Sequence, residues 1–214
     1  MRLHDYFRSS ASFRVRIGLN LKGIEPERRF VHLLRGGGEQ FSEGLTRLNP
    51  QQLVPVLEDG DIVLTQSLAI LEYLDEIHPE PPFLPATPAE RARVRALALV
   101  IACDLHPLNN LRVLRYLKEP LGVAEENRNA WYRHWVGKGL ETFEALVAGD
   151  PATGRFCHGD APGLADICLV PQIFNARRFE CDLAPYPTVM GIFEACMALP
   201  AFDAAQPARQ PDAE

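Results

Sequence analysis

Apolar and polar positions follow two different rhythms along this chain, and the rhythm changes near residue 80. Before that point, short apolar runs alternate with turn residues. Leu3 to Phe7 reads as a strand. Val15 and Leu19 share one face of a helix running from about Ser10 to Lys22, with Gly23 as its stop and Pro26 beyond. Arg28 to Leu33 reads as a second strand, Arg35 to Gly38 as a flexible loop, and Glu39 to Leu48 as a short helix ending before Asn49-Pro50. Val54 to Leu57 is apolar, with Pro55 at the strand entrance, where it cannot donate to a ladder. Asp59-Gly60 is a hairpin turn, and Ile62 to Leu64 is the returning strand. Ile70, Tyr73, Leu74 and Ile77 then recur at helical spacing, with Glu72, Asp75 and Glu76 on the polar side. The order β-α-β-α-β-β-α is that of a thioredoxin-like α/β domain.

Pro79-Glu80-Pro81-Pro82 and Pro85 make a stiff linker. Everything after it carries helical spacing. Thr87-Pro88-Ala89-Glu90 is a capping box with proline at the first helical position. Val94, Leu97, Ala98 and Ile101 face a core, and Trp131, Trp135, Leu140 and Phe143 belong to another helix. Ala165 to Gln172 is apolar nearly all round, as a buried central helix would be. Tyr186 to Leu199 reads as the last helix, and the Ala/Pro-rich tail from Asp203 is expected to fray. No internal repeat is present. The expected architecture is an α/β domain over 1–78, a Pro-rich linker over 79–87, and an all-α domain over 88–214.

Composition narrows this picture. With 214 residues, 47% hydrophobic and 23% charged, the chain suits a globular protein of one or two domains. A net charge of -6 speaks against nucleic acid as a partner, which wants a basic footprint. It leaves an anionic small molecule open, because a local arginine cluster overrides the global sign. No apolar leader opens the chain, and no stretch of about 20 apolar residues is seen that would span a bilayer, so no membrane partner is expected. The five cysteines, Cys103, Cys157, Cys168, Cys181 and Cys196, are odd in number, irregularly spaced and free of C-x-x-C. Reduced thiols and a cytoplasmic location are therefore expected. The histidines lack metal-ligand spacing, so no metal is expected. Gly36-Gly37-Gly38 lacks the pattern of a phosphate loop.

Ser9-Ser10 is the chemically distinctive point. Two hydroxyls stand at a helix start, where free N–H groups and the helix dipole favour negative charge. A thiolate placed there would be stabilised, yet the first cysteine is Cys103. The sulfur must then arrive as a ligand, and glutathione is the obvious candidate. Lowering a thiol pKa by about two units from near 8.5 needs roughly 2.7 kcal/mol. A helix terminus contributes about 0.3–2 kcal/mol and a charge-assisted hydrogen bond roughly 1.5–3. The plain alternative is that both serines are only N-caps. Gln66-Ser67 opens another helix and has the same two readings, anion holder or cap.

The segment Ser9-Ser10-Ala11-Ser12-Phe13-Arg14-Val15-Arg16-Ile17-Gly18-Leu19 resembles the zeta class of glutathione transferases, the class of maleylacetoacetate and maleylpyruvate isomerases. So do Asn49-Pro50-Gln51-Gln52-Leu53-Val54-Pro55, Gln66 to Ile70, Asp104 to Asn110 and Leu169-Val170-Pro171-Gln172. Two departures stand out: Ala11 replaces the usual cysteine, and Gly163 replaces the usual Ser/Thr cap in Gly163-Leu164-Ala165-Asp166. Glycine caps nearly as well as threonine, so a cost of only a few tenths of a kcal/mol is expected.

The resemblance implies the transferase fold, a homodimer, and glutathione as a regenerated cofactor in the cis–trans isomerisation of a small maleyl dicarboxylate. It implies Ser9 and Ser10 as the groups that stabilise the thiolate. It implies a cis Val54-Pro55 bond, where residue statistics alone favour trans. Glutathione contacts are implied for Ser9, Ser10, Ala11, Gln40, Val54, Gln66, Ser67, Asp104, His106, Asn110 and Arg112. Asp104 to Arg112 are expected on one long helix kinked at Pro107. His106 is otherwise an interior histidine, and Asp104 the partner of an arginine. Arg8 and Arg178 are the implied carboxylate anchors, although Arg177 and Arg178 are not separated by the pattern. Arg14 and Arg16 read as structural or solvated. The same thiolate also suits a general transferase that conjugates or dehalogenates small electrophiles.

Overall fold

The computed structural model describes Met1–Glu214. It divides into two compact units, Met1–Pro82 with Leu199–Glu214, and Phe83–Ala198.

The first unit is built on a four-stranded sheet in the order β2-β1-β3-β4. β1 (Arg2–Asp5) runs parallel to β2 (Glu27–Phe30) and antiparallel to β3 (Val56–Asp59), which pairs with β4 (Ile62–Thr65). α1 (Ser10–Leu21) and α3 (Ser67–Ile77) pack on one face, where Leu3, Val15, Leu19, Leu57, Ile70 and Leu74 form a core. A second core, with Tyr6, Phe7, Val31, Val54 and Val56, takes in Leu45 of α2 (Glu43–Leu48). Each such buried side chain contributes about 1.5–3 kcal/mol. β2 stops sooner than its apolar run suggested, because the chain turns at His32, whose Nδ1 accepts the N–H groups of Leu34 and Arg35. The expected helix over 39–48 breaks at Ser42, whose hydroxyl caps α2 by accepting from Leu45 N–H.

The tail is not frayed, and Leu199–Glu214 belongs to the first unit rather than to the helical one. After α10 (Pro200–Ala204), the Gln210 side chain donates to the carbonyls of Ala204 and Gln206, at 2.9 and 2.8 Å, and accepts from Arg28. Arg16 is structural. Its buried guanidinium binds Asp5, the carbonyls of Tyr6 and Phe7, and the carbonyl of Ala205. Composition marked the tail as loose, but these polar anchors decide otherwise.

The second unit is helical. Phe83 and Leu84, expected in the linker, are buried here. α4 (Pro88–Leu99) starts at the predicted box, with Thr87 accepting from Glu90 N–H and the Glu90 carboxylate reaching back. The long helix expected beyond it is not continuous. A widened turn covers Val100–Leu105, α5 is only His106–Leu108, and α6 (Leu111–Lys118) restarts at Asn110. Pro107 withholds one N–H, and the extended Asn110 caps the new helix by accepting from Arg112 N–H at 3.1 Å. By length and composition the run Pro88–Lys118 is apolar enough to cross a membrane, against the sequence reading. Of its most apolar stretch 28% is buried, and Val94, Leu97, Ala98, Ile101 and Leu105 of this run are core residues.

α7 (Glu125–Val147), α8 (Leu164–Arg178) and α9 (Pro187–Met197) complete the unit. Leu164 to Ile173 are all buried, as the pattern predicted. Asp166 closes the α8 N-terminus by accepting the N–H groups of Gly163 and Cys157 at 2.8 and 2.9 Å. Gly163 has a packing reason, since a Cβ there would lie 2.8 Å from the Phe83 carbonyl oxygen.

Candidate active site

Register brings three predicted segments to one end of the sheet. His4 lies opposite Val56, so Val54-Pro55 adjoins the C-terminal end of β1, where the chain turns into α1. Thr65 also lies opposite Val56, so Gln66-Ser67 leaves β4 at the same end.

At the start of α1, Ser9 is extended, with φ -67° and ψ 119°, and its Oγ accepts from Ser12 N–H at 3.2 Å. It is therefore a true N-cap. A hydroxyl that accepts this bond still has its hydrogen to donate. Ser10 is the first helical residue and is buried; Ala11 follows it, half-buried. The first turn contains no acidic side chain.

The Val54-Pro55 peptide is cis. Val54 lies outside the ladder, whose pairs begin at Val56. The approach to it is fixed by buried Asn49, which donates to the Leu53 carbonyl at 2.9 Å and accepts from Gln51 N–H at 3.0 Å.

α3 opens on Gln66, held at φ 69°. Such a left-handed non-glycine residue costs of order 1–3 kcal/mol, and strain of this kind gathers at functional sites. Gln66 provides no side-chain cap; its amide donates to Gln51 instead, at 2.7 Å. The first N–H groups of α3 thus have no side-chain cap and no acidic neighbour in the first turn. Ser67 Oγ accepts from Arg14 Nη1 at 2.9 Å in a buried contact, and a hydroxyl that accepts this bond still has its hydrogen to donate. Arg14 was read as structural or solvated, but it stands behind this helix start and adds positive potential to it. The available signal was spacing: Arg14 follows buried Ser10 by four residues and shares its helix face.

Gln40 is turned inward. Its amide nitrogen reaches the Leu33 carbonyl at 3.4 Å, and its side chain lies where a Cβ on Gly38 would be, 2.6 Å away. Its buried Oε1 makes no hydrogen bond. Arg8 is half-buried, with its guanidinium 4.8 Å from the centre of the Phe7 ring.

The second unit holds the remaining candidates. Asp104 and Arg112 are exposed, and His106 Nε2 lies 3.5 Å from Asn110 Nδ2. Asp104 and His106 lie on the helical run that ends at Leu108, while Asn110 and Arg112 open α6 beyond the break. Arg178 ends α8, exposed, 5.4 Å from the centre of the Phe179 ring. That ring stacks on Tyr132 at 3.6 Å. Burial pushes the Tyr132 phenol well above its usual range, and Arg178 opposes the shift. Arg177 lies instead over Phe193, 4.4 Å from the ring centre.

The sheet-end residues fit a peptide carrying a carboxylate and a thiol. The α3 start with Ser67 and Arg14 suits the carboxylate, Val54 lies outside the ladder for a peptide contact, and the Ser9 hydroxyl suits sulfur. Residues 8–77 match the family model for the glutathione S-transferase N-terminal domain. The chain is 53% identical over 211 residues to a probable maleylacetoacetate isomerase of Vibrio cholerae, covering 99% of this chain and 97% of that one. A holo structure of a bacterial zeta-class maleylpyruvate isomerase superimposes with a TM-score of 0.96 at 49% identity, covering 100% of both chains. A Methylobacterium extorquens maleylacetoacetate isomerase, solved with malonate and glutathione, also gives 0.96, at 45% identity and full coverage of both chains. The chain belongs to the zeta class of glutathione transferases, the family of the maleylacetoacetate and maleylpyruvate isomerases.

Proposed function

We propose that this protein is a glutathione-dependent cis–trans isomerase. It converts a maleyl dicarboxylate, maleylpyruvate or maleylacetoacetate, to the fumaryl isomer in aromatic-compound degradation. When bound, glutathione supplies a thiolate whose reversible addition lets the carbon–carbon double bond rotate. The observation that carries the reading is the α1 start. Ser9 caps the helix and keeps its hydroxyl hydrogen, in a turn with no acidic residue and far in sequence from any cysteine.

The chain's own residues have distinct tasks in this reading. Ser9 donates to sulfur, and the α1 terminus adds positive potential, with Ser10 and Ala11 in its first turn. Ser67, backed by Arg14, holds the γ-glutamyl carboxylate with the α3 N–H groups, and Gln66 orients that turn. The Val54 backbone pairs with the cysteinyl part, and Gln40 serves the glycyl end. Asp104, His106, Asn110 and Arg112 are further proposed glutathione contacts. Arg8 and Arg178 bind substrate carboxylates and stabilise negative charge that develops on the conjugated carbonyl. The malonate and glutathione held by the Methylobacterium extorquens relative support this pairing of a dicarboxylate with glutathione. A homodimer in the cytoplasm completes the reading.

The test is isomerisation of both maleyl substrates with and without glutathione. The expected result is strict dependence on glutathione, which is recovered unchanged. Consumption of glutathione in step with product would make the protein a conjugating transferase, and turnover without glutathione would end the reading. Arg178→Ala should mainly raise KM for the dicarboxylate.

A further inference from the structure

The turn that carries Ser9 has an anchor that comes from the far end of the chain. The β1–β2 pairing ends at Asp5 opposite Phe30, so Tyr6 to Ser9 lie past the strand pairs. Arg16 takes the carbonyls of Tyr6 and Phe7, at 3.3 and 2.9 Å. Ser9 N–H donates back to the Tyr6 carbonyl at 3.0 Å. Phe7 N–H, two residues before Ser9, donates to Asp212 Oδ2 at 3.0 Å. The Phe7 side chain is buried, so this amide would otherwise face a loss of hydrogen bonding beside an apolar core.

Asp212 is itself placed. Gln210, buried just before it, is tied to the carbonyls of Ala204 and Gln206 and to Arg28. Glu214, just after it, pairs with Arg35 at 2.6 Å and lies 3.4 Å from His32 Nε2. His32 Nδ1 accepts two backbone N–H groups, so its proton sits on Nε2, toward Glu214. The His32 ring meets the Tyr6 ring edge-on at 5.0 Å. Residues 210–214 thus hold the Ser9 turn on one side and the approach to Gly36-Gly37-Gly38 on the other.

We infer that Asp212 is a positioning residue for Ser9, fixing the turn that aims the hydroxyl at the ligand sulfur. The inference rests on the proposed role of Ser9. A hydroxyl that must meet a thiolate at hydrogen-bond distance loses strength steeply when misplaced, because the bond depends on distance and angle. Phe7 N–H needs an acceptor, not a charge, so an amide oxygen at the same place should serve.

The experiment compares Asp212→Ala and Asp212→Asn with the unmodified protein, using isomerase pH profiles at saturating glutathione and thermal melting. Asp212→Ala should move the acid limb of the kcat/KM profile up by about one unit, equivalent to about tenfold at a pH below the limb. Asp212→Asn should stay within about twofold of the unmodified protein, a difference of about 0.4 kcal/mol. An unmoved profile in Asp212→Ala, even with a lower melting temperature, makes Asp212 a structural tie only and overturns the inference. So does an Asp212→Asn profile shifted as far as that of Asp212→Ala. Loss of glutathione dependence in the unmodified protein is a separate result: it removes the isomerase reading, and this inference falls with it.

Discussion

Helix starts in the two units are finished in different ways. In the helical unit α4, α8 and α9 are closed by acidic side chains, and α6 by Asn110. Glu90 completes the box at α4, Asp166 takes two N–H groups at α8, and Glu144 of α7 accepts from Thr188 and Val189 at α9, at 3.0 and 2.8 Å. In the α/β unit, α1 and α3 have no acid in their first turns. There Ser9, at α1, and Ser67, at α3, each accept a bond from the protein and keep a hydroxyl hydrogen to donate. The same unpaired N–H groups stabilise the fold where an internal carboxylate answers them. They make an anion site where none does.

The largest expected effect comes from opening a closed end. Asp166→Ala strands two backbone donors and should cost about 4 kcal/mol of stability in denaturant unfolding. A cost under about 1 kcal/mol would mean the buried carboxylate is not what finishes α8. Next is Ser9→Ala, which keeps the helix but loses the donor. Turnover should fall by more than about tenfold, with about 1 kcal/mol of stability lost with the cap. Unchanged turnover in purified protein removes Ser9 from the mechanism. Closing an open end is the reverse operation. Ala69→Glu puts an acid at the third helical position of α3, where it can reach back to the Gln66 N–H and repel an incoming carboxylate. Glutathione affinity by calorimetry should weaken about fivefold, roughly 1 kcal/mol, with stability unchanged or slightly raised; unchanged affinity would take α3 out of the site.

The smallest effects are in pH dependence, and the two closed ends should differ in sign. Thr87 hydrogen bonds hold the Glu90 carboxyl below its ordinary value. Its contribution is therefore present above that value and lost as pH falls through the folded-state pKa. Desolvation raises the Asp166 carboxyl despite its N–H donors. Its contribution is greatest below the unfolded-state value, about 3.9, and declines as pH rises through the folded-state pKa. Unfolding of Glu90→Gln and Asp166→Asn across pH, each against the unmodified protein, should show the two opposite slopes.

Much of this contrast was legible in the sequence. The Thr87 box, the Ser9-Ser10 start and the acid-free first turns are local patterns, and they fold as local chemistry dictates. Elements set by distant partners were less legible. The tail after Asp203 looked frayed because its anchors, Arg16 and Arg28, lie nearly two hundred residues away in the chain. Arg14, expected to be structural or solvated, is buried, and its place behind the α3 start is set by Ser67 on another helix. Pro107 marks a kink in the sequence, but the run ends at the asparagine cap two residues past α5, a local signal that helical spacing hides. Local pattern marks Gly163 only as a cap; the Phe83 carbonyl that excludes a larger residue is a tertiary neighbour.

A helix start with a donating serine should keep a borrowed sulfur ionised. An ultraviolet titration of the thiol of bound glutathione tests it directly, with Ser9→Ala alongside. The bound thiol should titrate about two units below the free value near 8.5, with most of that shift gone in Ser9→Ala. A thiol that titrates on the protein as it does in water would rule out this role for Ser9.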